Sequence, residues 1–190
     1  MGLDMNVFRI QKPAIDKGKV YDRDELDGIV LSSEDIVSPM YRQLAPYCVE
    51  VRVVNHYYDL KKIGEDYGLE DAHIGGWSCD SNGSSATSIY GKKNGASEHV
   101  TIPDELIESK YTINREETCY VCDRDEVCYW RKAYDIQDWF HKNIPEPVEN
   151  TGYYVLNEQQ IAAFNKEFPE DNILVEAPSE TSALVYWEWY

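Results

Sequence analysis

Residues 128–144, CYWRKAYDIQDWFHKNI, closed by Pro145, constrain the fold of this chain more than any other stretch. Tyr129, Ala133, Ile136 and Phe140 recur at steps of four, three and four, which is one stripe of a 3.6-residue helix. Trp139 and Ile144 flank the stripe. Arg131, Asp135, Asp138 and Lys142 fall on the opposite side, and Arg131–Asp135 and Asp138–Lys142 are spaced to pair across one turn. Pro145 cannot continue the helix and biases Ile144 away from helical geometry. The spacing predicts a helix here that covers a sheet.

The rest of the chain supplies that sheet. Residues 3–10 alternate as a first strand with Leu3, Met5 and Val7 on one face, and residues 29–31 read as a short strand. Ser38-Pro39 has the form of an N-cap and first helical position, for a short helix ending before Pro46. Val49, Val51 and Val53 alternate with Glu50 and Arg52, a half-buried strand. Residues 57–66 predict a helix that stops near Gly68, followed by a Gly- and Ser-rich loop, HIGGWSCDSNGSS. Residues 87–90 and 99–102 read as strands, with the turn signal Asn94-Gly95 between them. Pro103-Asp104-Glu105-Leu106 suits a turn or two of helix. Residues 118–122 alternate as a strand that runs into a charged turn at 123–126. Asn157 opens a last helix with a capping box to Gln160 and a staple from Leu156 to Ile161. Its apolar stripe is Ile161, Phe164 and Phe168. Residues 183–190 are an aromatic terminal strand with Ala183, Val185, Trp187 and Trp189 on one face. Interspersed strands and helices without regular βαβ spacing predict a single α+β domain. Its expected form is a mostly antiparallel sheet covered by two C-terminal helices.

Charge narrows the function. The chain of 190 residues carries 18 Lys+Arg against 35 Asp+Glu, net −17. A nucleic-acid binder needs clustered Lys and Arg, and an anionic membrane repels this balance, so neither direct partner is expected. No apolar run is long enough for a transmembrane helix, and the N-terminus lacks a signal-peptide layout. With five Cys and no export signal, a cytoplasmic chain with reduced thiols is expected.

Three groups of residues invite chemistry. Cys119-x-x-Cys122 followed by Cys128 raises a zinc reading. But Cys119 and Cys122 differ by an odd number within a strand, so their side chains face apart, and a fourth ligand would be remote. Three small packing thiols, and no metal or other cofactor, is the reading favoured. The loop at 73–85, with His73, Gly75, Gly76, Cys79 and Ser84, offers a conceivable Cys/His pair, but lacks a phosphate-loop pattern. No catalytic residue is assigned. The third group is acidic. Residues 1–95 hold 11 basic and 15 acidic residues, residues 96–190 hold 7 and 20, and from Ala133 onward Lys142 and Lys166 face eleven acids. Solvation alone explains most acidic surfaces. This lopsidedness also suits an acidic face for a basic partner, built on Asp135, Asp138, Glu146, Glu149, Glu167, Glu170 and Asp171.

Met-Gly-Leu-Asp-Met at residues 1–5 resembles the start of an uncharacterised family of small phage and prophage proteins. Val127-Cys128-Tyr129-Trp130-Arg131-Lys132-Ala133, continuing through Ile136 and Trp139-Phe140, is similar to a motif helix of that family. Tyr153-Tyr154-Val155, the helix at 157–168 and the aromatic end at 185–190 follow in the family's order. The middle, from Gln11 to about Cys119, has no counterpart, so the resemblance implies a long insertion or lobe in the single domain over about residues 11–118. The resemblance implies a phage or mobile-element origin and carries no catalytic residue. The resulting expectation is a non-enzymatic accessory protein acting by protein–protein binding. Its sharper form is an acidic, DNA-mimic or anti-CRISPR-like inhibitor of a host restriction or CRISPR effector. A small enzyme using the 73–85 loop, or a virion-associated structural domain, is the alternative.

Overall fold

A computed structural model describes residues 2–79, 84–171, 173 and 179–190. The chain is α+β. Its strands are β1 (Asp4–Gln11), β2 (Val20–Asp22), β3 (Ile29–Ser32), β4 (Val49–Tyr58), β5 (Glu70–Cys79), β6 (Ser85–Lys93), β7 (Ala96–Pro103), β8 (Thr112–Arg131), β9 (Tyr153–Leu156) and β10 (Ser182–Trp189). Its α-helices are α1 (Leu60–Tyr67), α2 (Asp104–Lys110), α3 (Tyr134–Asn143) and α4 (Glu158–Glu167). Two compact units result, one of residues 1–53 with 117–190 and one of residues 54–116. Residues 11–53, which the resemblance groups with the inserted middle, thus belong to the first unit.

The larger sheet has the order β2-β4-β8-β1-β10-β9, with β3 also paired to β8. The termini meet at its centre, because β1 pairs antiparallel with β10 from Asp4↔Trp189 to Gln11↔Ser182, and with β8 on its other side. Alternation along β1 sends Leu3, Met5 and Val7 into one core and Phe8 and Ile10 into another. The first core joins those three to Trp130, Leu184 and Tyr186, to Ile136, Trp139 and Phe140 of α3, and to Phe164 of α4. It is an aromatic stack: Phe140 lies 3.9 Å from Tyr186 between ring centroids at 19°, and Phe164 lies 5.1 Å from Phe140 at 21°. The second core places Phe8, Ile10, Ala183 and Val185 against Ile36 and Leu44, which stand on short 3-10 turns.

Several expected boundaries move. Residues 128–131 are strand, not helix. Tyr129 and Trp130 are residue types that suit a strand, and the ladder to β1 continues as far as Asp4↔Arg131. Lys132, at φ 58°, turns the chain into α3. Tyr129 therefore leaves the helical stripe and is 49% exposed, donating its hydroxyl to Asp4 at 2.6 Å. Arg131 pairs with Asp4 at 3.6 Å, not with Asp135. The charged stretch 123–126 is not a turn but part of β8, registered against β1 from Gln11 to Phe8. Ser38 closes the 3-10 turn Asp35–Val37 instead of starting a helix, and Pro46 lies inside the 3-10 turn Arg42–Tyr47. Asn157 does form its capping box with Gln160.

The second unit is the antiparallel sheet β5-β6-β7 with α1 and α2. Its core gathers Ile63, Leu69, Ile89, Ile102, Ile107 and Tyr111. Tyr57 and Tyr58 belong to β4, and the helix starts only at Leu60, where Asp59 caps Lys62 N at 3.0 Å. Asn94 (φ 53°) and Gly95 (φ 81°) make the tight turn between β6 and β7, as their dipeptide predicts.

Candidate functional site

All seven acids singled out by charge lie in the first unit and are exposed. Asp135 and Asp138 stand three residues apart on α3, one turn from each other. Ile136, Trp139 and Phe140 of the same helix face the core. The other five are not equivalent. Glu146 is tied down by Arg42 at 3.3 Å and by the Gln43 side-chain amide at 3.0 Å. Gln43 in turn accepts the backbone N–H of Val155 at 2.8 Å. Glu167 accepts the indole N–H of Trp139 at 3.0 Å, and Asp171 that of Trp130 at 3.1 Å. Those two carboxylates satisfy ring donors that enter the aromatic core, so part of the acidic surface is structural. Asp135, Asp138, Glu149 and Glu170 have no ion pair among the described residues.

A cleft of about 180 Å³ is lined by Pro39, Arg42, Glu146, Pro147, Glu149 and Tyr154. The Tyr154 hydroxyl is fixed from two sides: it accepts the Glu149 backbone N–H at 2.6 Å and donates to the Pro147 carbonyl at 3.1 Å. Burial pushes its phenol above the ordinary tyrosine range.

The charged group that sequence reasoning missed is Glu188. It stands between two Trp in the sequence and is fully buried. Tyr186 donates to it at 2.7 Å, Gln137 at 3.1 Å, and His141 Nε2 lies 3.0 Å away. Both cross-helix partners come from α3, so one carboxylate ties that helix to β10. Its signal was the parity of β10: Leu184, Tyr186 and Glu188 share a face, and the first two are apolar.

The described residues of the 73–85 stretch are largely strand. Residues 73–79 are the middle and end of β5, paired with β6 from His73↔Tyr90 to Cys79↔Ser85. His73 and His99 flank the Tyr90 ring at 6.2 and 5.1 Å. The Cys79 side chain and residues 80–83 lie outside the described residues, so the Cys79/His73 pairing is not placed. Cys119 and Cys122 do face opposite sides of β8, in separate cores. Cys48, Cys119, Cys122 and Cys128 form no disulfide.

Comparison of the chain with protein-family models, with curated proteins and with solved structures gives no match. Among the described residues, no helix is long and apolar enough to cross a membrane.

Proposed function

We propose that this chain is a non-enzymatic accessory protein of phage or prophage origin that binds a basic, nucleic-acid-binding protein of the host. In the sharper form of this reading it competes with nucleic acid for a restriction or CRISPR effector. The observation that carries it is the unneutralised surface of the C-terminal region. Asp135, Asp138, Glu149 and Glu170 are exposed without an ion pair among the described residues, and only Lys142 and Lys166 offset eleven acids from Ala133 onward. Duplex DNA carries a phosphate about every 1.7 Å along its axis. Acids on successive helical turns are coarser, about 5–6 Å apart at Cβ. The mimicry is therefore of the field and not of individual phosphates.

The test is competition. The protein is titrated into host effectors holding labelled DNA or RNA, at two salt concentrations. Displacement that weakens steeply with salt is expected, because exposed charges are screened within about 8–10 Å at physiological ionic strength. Asp135→Lys with Asp138→Lys should mainly slow association. These positions are better probes than Glu146, Glu167 or Asp171, whose carboxylates hold Arg42, Trp139 and Trp130. Displacement that never occurs, or that ignores both salt and charge reversal, refutes the reading.

A further inference from the structure

Cys48 and Cys122 are 74 positions apart in sequence yet pack in one apolar cluster with Ile29, Leu31 and Leu44. Cys48 ends the 3-10 turn Arg42–Tyr47, its backbone N–H on the Ala45 carbonyl at 3.3 Å, and β4 begins at the next residue. Cys122 sits on β8 opposite Ile29 of β3 and is fully buried. Within that cluster each is the strongest influence on the other's thiol. We propose that they form a redox-convertible dithiol, closed to an intramolecular disulfide by a peroxide oxidant and reopened by a thiol reductant.

The environment assigns the two roles. Cys48 is only half-buried, so a small oxidant reaches it, whereas Cys122 is shielded. Cys122 holds the Cys48 thiol below its usual range, against the opposing effect of burial. The same pairing, with burial, pushes Cys122 up. Cys48 is thus the attacking thiolate and Cys122 the resolving thiol. The other described cysteines are placed differently. Cys119 is buried on the opposite face of β8 among Val49, Val51 and Val53, and burial raises the Cys128 thiol beside the aromatic core.

The chemistry balances in two steps. The Cys48 sulfur attacks one oxygen of hydrogen peroxide, the O–O bond breaks, and hydroxide leaves and takes up the released thiol proton as water. Cys48 is then a sulfenic acid. The Cys122 sulfur attacks that sulfur, the S–S bond forms as the S–O bond breaks, and the hydroxyl departs as water with the Cys122 proton. Two electrons pass from the sulfur pair to the peroxide. The product closes a covalent loop over residues 49–121, which contains the whole unit 54–116.

The test uses the full chain, reduced, desalted and titrated with hydrogen peroxide, then alkylated and mapped without reductant by mass spectrometry. Loss of two thiols, a single cross-linked peptide pair joining Cys48 to Cys122, and full reversal by dithiothreitol are expected. In Cys122→Ser, Cys48 should persist as a sulfenic acid captured by a dimedone reagent. Cys48→Ser should abolish both products. Wild-type mapping needs no variant to fold. Cys48 that alkylates freely after peroxide, that joins Cys79, Cys119 or Cys128 instead, or that passes to sulfinic acid without a disulfide overturns the proposal.

Discussion

Glu188, fully buried on β10, accepts the hydroxyl proton of Tyr186, two residues earlier on the same face of the same strand, at 2.7 Å. A buried carboxylate is costly unless its oxygens are bonded, and the alternation of β10 leaves it no route to solvent. Here α3 completes the shell through Gln137 and His141.

Glu188→Ala removes the acceptor and leaves Tyr186 and Gln137 with unpaired donors. Its expected cost is at least about 2 kcal/mol, the scale of a hydrogen bond to a charged group. His141→Ala should cost less than about 1 kcal/mol, because the His141 side chain is 40% exposed and solvent screens its pairing. Urea midpoints for both variants check this; equal losses would contradict the central place of Glu188.

Tyr186 predicts an alkaline limit. Burial, and then its bond to Glu188, push its phenol well above the ordinary value of about 10. The folded state therefore holds a proton that the unfolded chain releases first. The stabilising contribution is complete below about pH 10 and is lost as pH rises toward the folded value. Stability measured between about pH 8 and 11.5 should fall more steeply in wild type than in Tyr186→Phe. Because burial also raises Tyr153 and Tyr154, the difference between the two proteins is the quantity to read. Parallel curves would refute the assignment.

Phe140 and Asp138 test the faces of α3. Phe140 is fully buried between Tyr186 and Phe164, so Phe140→Ala should cost about 3–5 kcal/mol. Asp138→Ala should change stability by no more than about 0.5 kcal/mol. Similar small shifts in both would mean the helix is rotated.

The two indole–carboxylate bonds make a spectroscopic prediction. Glu167→Ala and Asp171→Ala should each cost about 1 kcal/mol, since the carboxylates are exposed but the rings they hold are buried. Each loss should also change the emission of Trp139 or Trp130. Unchanged emission in both variants would show that the acids do not position the rings.

What the sequence made legible were the features set by local chemistry. The Asn94-Gly95 turn needs positive φ at both residues, and the dipeptide announces it. The Asn157–Gln160 box and the opposed faces of Cys119 and Cys122 follow from spacing alone. What misled was periodicity across an element boundary. Tyr129 matches the helical stripe of Ile136 and Phe140 by coincidence, because nothing local reveals that β1, more than a hundred residues earlier, pairs with residues 123–131. The Gly75-Gly76 sequence likewise suggests a loop, yet the Tyr90 ring occupies the space where a Gly75 side chain would begin, so glycine is a packing requirement of β5. Glu188 and the Cys48–Cys122 pair were hidden for the same reason: each is defined by partners remote in sequence.

The position of β1 has a consequence for synthesis on the ribosome. β1 is made before both of its neighbours, residues 123–131 and 182–189. At about 5–20 residues per second, it waits on the order of ten seconds before either arrives. During that time Met5, Val7, Phe8 and Ile10 lie on a strand with both edges open, while residues 54–116 already carry the strands of their own sheet and can close it. β1 is therefore the strand most exposed to mispairing on the nascent chain, a hazard that eases when residues 123–131 cover one edge and ends when residues 182–189 cover the other.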